Sequence, residues 1–79
     1  MKYLVIEMQT GENGVVTPLA YTFDTLNEAE SKYHYVLSFA AAGTLPMHAA
    51  SLLRSDGAVL ESRYYEHLPE PEETEPGDE

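Results

Sequence analysis

The chain has 79 residues, of which 14 are acidic and four basic, giving a formal net charge of −10, and it contains neither cysteine nor tryptophan. That length allows one domain at most, and the lack of cysteine excludes a disulfide framework and a thiolate-ligated zinc site. No apolar run approaches the roughly 18 residues of a membrane span, no basic-then-apolar leader opens the sequence, and a surface this acidic repels phosphate, so the reading is an intracellular chain with no membrane contact and no direct hold on nucleic acid.

Residues 2–9 read as a strand, with Leu4, Ile6 and Met8 alternating against Tyr3, Val5 and Glu7. Gly11 and Gly14 mark a turn region, and Pro18, which has no amide to donate, suits the start of a short edge strand over 19–23. These two strands are expected to pair as an antiparallel hairpin with a long loop. Thr25 and Glu28 match a helix-opening capping box. Leu26, Ala29, Tyr33, Val36, Leu37, Ala40 and Ala41 then recur at helical spacing, predicting a helix over about 25–42 that ends at a left-handed Gly43. Glu28 and Lys32 lie four residues apart as a favourable pair, and Tyr35 and Phe39 form a second apolar stripe. Residues 47–54 and 58–66 read as a second hairpin around Ser55-Asp56-Gly57. A two-residue turn would pair Leu53 with Leu60. A three-residue loop with Gly57 left-handed would pair Leu52 with Leu60 and is slightly preferred.

The order predicts an α+β fold, ββαββ, with a four-stranded antiparallel sheet and one helix packed on one face. The first strand, being the most apolar, is placed centrally beside the second hairpin. Residues 1–68 form this domain. The sheet face away from the helix is expected to present Tyr3, Val5, Leu53, Val59 and Tyr65, a patch that a monomer seldom leaves wet, so a homodimer or another partner should cover it.

Charge is uneven. The last eleven residues, 69–79, hold six of the acids, including Glu70, Glu72, Glu73 and Glu75, with no base and three prolines. Such a segment cannot bury enough surface to offset its ordering entropy and is expected to be disordered in isolation. No metal or cofactor site is expected. His34 follows Glu30 at helical ligand spacing with no evident third ligand; His48 reads as structural and His67 as solvated. The serines sit in no nucleophile elbow and the glycines form no phosphate loop, so the chain is read as a non-enzyme.

The stretches MKYLVIEMQT, NEAESKYHYVLSFAAAG and LPMHAASLLRSDGAVLESRYYEH together resemble small uncharacterised acidic open reading frames of phages, prophages and mobile elements of gut Firmicutes. The resemblance covers about residues 1–67, excludes the Pro/Glu-rich end, and carries no catalytic residue. It implies a class of accessory factors that bind and block host machinery in the bacterial cytoplasm, anti-CRISPR proteins among them. Two functional expectations follow. In the first, Glu7, Glu12, Glu28, Glu30, Glu61 and Glu66, with the acids of 69–79, contact a basic nucleic-acid-binding host protein such as a CRISPR–Cas effector. In the second, the apolar sheet face or the Tyr35/Phe39 stripe drives self-association as a structural or virion accessory module.

Overall fold

The computed structural model describes residues 1–67, so the acidic end with Glu70, Glu72, Glu73 and Glu75 lies outside the described residues. The elements are β1 (Tyr3–Thr10), β2 (Val16–Phe23), α1 (Leu26–Ala42), β3 (Met47–Arg54) and β4 (Val59–Glu66). They form one four-stranded sheet in the order β2-β1-β3-β4, antiparallel throughout, with α1 across one face. This is the expected ββαββ architecture, with β1 central.

Both hairpins close with the same device. The Gly11 amide donates to Val15 and the Gly14 amide to Gly11, and in the second hairpin Arg54 donates to Ala58 and Gly57 to Arg54, all at 2.9–3.0 Å. This is a three-residue loop in which a type I turn ends on a left-handed residue. Gly14 and Gly57 fill that position with φ of 81° and 96°, where a side chain would be strained. The second loop is therefore the preferred three-residue form. Its ladder runs from Leu53 opposite Val59, then slips by one at a bulge, so that Leu52 faces Glu61 rather than Leu60.

Thr25 caps α1, its hydroxyl accepting the Glu28 amide at 3.2 Å. Gly43, expected to be left-handed, is extended instead (φ −83°, ψ −174°). A glycine is still required there, because a Cβ would lie 2.9 Å from the Phe39 carbonyl oxygen. Lys32 does not pair with Glu28. Its ammonium lies over the Tyr21 ring, 4.2 Å from the centroid, tying the helix to the β2 edge.

The core is small. Val5, Ala50 and Leu52 from the sheet meet Ala29, Tyr33 and Val36 from the helix, with Tyr3, Phe23, Leu26 and Leu37 packed around them. Two alanines at the helix–sheet contact let the backbones approach closely, and Tyr33 reaches toward the inner side of β4, near Glu61, Arg63 and Tyr65.

Candidate interaction surface

The core fixes which phase of each strand lies under the helix. Val5 and Glu7 are buried there, and side chains directly opposite share a face, so Tyr3, Val5 and Glu7 lie with Phe23, Tyr21 and Leu19 on the helix side. The same register puts His48, Ala50 and Leu52 there from β3, and Glu61, Arg63 and Tyr65 from β4. Three residues assigned to the uncovered face are thereby corrected. Val5 is fully buried under α1, Tyr3 packs against the core, and Tyr65 sits opposite His48 on the helix side. The cause is the hairpin loop. Leu19, Tyr21 and Phe23 mark the inner phase of β2, and the three-residue loop sets Tyr3 and Val5 opposite Phe23 and Tyr21. In β4 the bulge reverses the phase beyond Leu60.

The uncovered face therefore carries the more apolar phase of β1. Leu4, Ile6 and Met8 run down its centre beside Leu53, Ala49 and Met47 of β3. Val59 and Tyr64 flank them on β4, about 60 % exposed, and Val16, Pro18 and Ala20 flank them on β2. Leu53 and Val59 are the two residues of the expected patch that lie here. The remaining positions on this face are threonines, serines and Glu66, the one charged residue among them. Over a central pair of strands, an aliphatic surface with one charge at its rim is unlike the rest of this acidic molecule.

The helix side is polar where its core ends. Glu7 and His48, both buried, meet with His48 Nε2 2.6 Å from Glu7 Oε2. Gln9 Nε2 donates to the same carboxylate oxygen at 2.8 Å, and the Tyr21 hydroxyl approaches the other at 3.5 Å. Burial pushes the Glu7 carboxyl up, but the bonds from Gln9 and His48 and the charges of His48 and Lys32 outweigh it and hold the group below its ordinary value. The carboxylate is thus a structural anchor under α1 and is withdrawn from any outside partner, which removes Glu7 from the candidate contact set.

Of the other candidate acids, Glu12 lies in the first loop, Glu28 and Glu30 in the first turns of α1, and Glu61 and Glu66 on β4. All reach solvent, but they are dispersed over three elements. Two of the four bases are held by aspartates, Lys2 by Asp24 and Arg54 by Asp56, and these contacts lower the pKa of both carboxyls. Tyr35 and Phe39 stack edge to face on the outer side of α1, with centroids 4.9 Å apart and each 57 % exposed. They stand away from the sheet face and do not extend it.

An open cleft of about 510 Å³ lies at the end of the sheet, lined by Glu12, Thr44, Pro46 and His67. His67 is not solvated as expected: it is half-buried, with Nε2 2.7 Å from the Ala40 carbonyl, where it closes the helix end. His34 is exposed, its ring edge-on to Tyr33. Among the described residues, no three histidine or acidic side chains form a group that would hold a metal ion, and no helix is long and apolar enough to cross a membrane. Comparison with protein-family models, with curated proteins and with solved structures finds no match to this chain.

Proposed function

We propose that this protein is a non-enzymatic, self-associating interaction module whose uncovered sheet face packs on the same face of a second copy. The observation that carries this reading is the contrast between that face and the rest of the surface. A chain of net charge −10 repels itself over most approaches. The face centred on Leu4, Ile6, Met8 and Leu53 lets two copies meet while only Glu66, at its margin, brings negative charge to the contact. Face-to-face packing of two sheets about 10 Å apart would bury these aliphatic side chains in a second core and leave both helices outside. A domain this small, which buries only about 60 % of the surface its unfolded chain exposes, gains stability from such a contact.

Ile6→Lys tests the reading. Sedimentation equilibrium should show the wild-type assembly losing this contact in the variant, with little dependence on salt in either. A wild-type monomer at high concentration would refute the proposal.

The exposed carboxylates Glu12, Glu28, Glu61 and Glu66 support a second reading, in which the protein binds and inhibits a basic nucleic-acid-binding host protein such as a CRISPR–Cas effector. Capture of such a partner would weaken steeply as salt rises and would suffer when residues 69–79 are removed. Face-driven assembly would be indifferent to both changes.

A further inference from the structure

The two edges of the sheet are not alike. On β2, alternation from the Gly11–Val15 bond turns the backbone groups of Val16, Pro18, Ala20 and Thr22 outward. Pro18 has no amide, so the middle of that edge is blocked. On β4, the His67 amide donates to the Pro46 carbonyl at 2.9 Å, and alternation from there points Tyr65 and Arg63 inward to His48 and Ala50. Ser62, Tyr64 and Glu66 then turn their amides and carbonyls to solvent. No proline interrupts β4, every residue of it except Tyr65 is exposed, and beyond the bulge the strand is regular to Glu66.

We infer that β4 pairs antiparallel with β4 of a second copy about a twofold axis through Tyr64, joining the two four-stranded sheets into one continuous sheet. Hydrogen-bonded positions must both face outward, which admits axes through residues 62 to 66; an axis through Tyr65 bonds only Tyr64 with the partner's Glu66 and leaves Ser62 out, and one through Glu66 opposes two carboxylates. An axis through Arg63 sets two guanidinium groups side by side. An axis through Ser62 drives Tyr64 into the partner's bulged Leu60. The Tyr64 axis uses the regular strand alone: Tyr64 bonds its symmetry mate, and Ser62 bonds the partner's Glu66 on either side. Arg63 then lies against the partner's Tyr65, and Glu61 beside the partner's His67, with no like charges opposed. Because Pro18 blocks the other edge, the contact is isologous and closes at two copies instead of running on as a ribbon. It uses the edge of the sheet and not its face, and so stands separately from face-to-face packing.

The chain has no cysteine, which makes single-cysteine variants of the full-length protein direct reporters of register. Under mild oxidation Tyr64→Cys should form a covalent dimer roughly tenfold faster than Ser62→Cys or Arg63→Cys, since paired Cα atoms at the axis lie about 5.5 Å apart, within disulfide reach. The cross-link should persist when Ile6→Lys is added. Fastest cross-linking at Ser62 or Arg63, none at any of the three, or its loss with Ile6→Lys would overturn the inference. A wild-type measurement stands beside these: the Tyr64 amide should exchange more slowly as the protein is concentrated, and an exchange rate independent of concentration would equally refute the pairing.

Discussion

At the scale of single residues, the buried Glu7–His48 pair ties β1 to β3 beneath the helix. A carboxylate out of water is tolerated because Gln9 and His48 donate to it and Lys32 lies nearby. Glu7→Gln should lower stability at pH 7 by about 1–3 kcal/mol. The pH sign follows from the depressed carboxyl. Its contribution is full above the ordinary carboxylate range and is lost as pH falls through the lowered value of the folded state. Urea unfolding of both proteins at neutral pH and at pH near 3 checks this: the gap between them should narrow in acid, and a constant gap would count against it. In the sequence, Glu7 and His48 were visible only as one acid among many and one histidine in a strand. Nothing local in either segment reveals that a register joining distant strands buries them together.

At the scale of elements, strand and helix positions were legible because alternation, caps and glycine punctuation are local signals. The faces were not. Leu4, Ile6 and Met8 are more apolar than Tyr3, Val5 and Glu7, and apolarity alone sends the first set under the helix. The loops decide otherwise, because a three-residue closure at Gly11–Val15 couples Val5 to Tyr21, and the bulge in β4 exchanges Leu60 for Glu61 opposite Leu52. One inserted residue changes which side chains meet, and composition carries no record of it. The left-handed loop glycines are where this control is most exposed to substitution. Gly57→Ala should cost roughly 1 kcal/mol in urea unfolding, and Gly57→Asn less, since asparagine tolerates positive φ. Equal effects from the two would argue that the loop conformation relaxes.

At the scale of the whole molecule, the sheet offers three outward surfaces: an aliphatic face, one edge stopped by Pro18 and one edge left unstopped along β4. Pro18→Thr should restore an amide to the β2 edge and let β4 of one copy pair with β2 of another. Light scattering should then report growth with concentration beyond the wild-type assembly, and unchanged particle mass would show that the proline does not limit assembly. The central seam has a kinetic consequence of its own. Each hairpin zips locally within microseconds, but Leu4 meets Leu53 only after the intervening helix has formed and folded back. The least local step on the way to the native state is therefore the closing of the seam between β1 and β3. Until it happens, each half shows a bare inner strand, and the complementary half of a neighbouring chain fits that strand equally well. At high concentration the failure to expect is an exchange of hairpins between molecules.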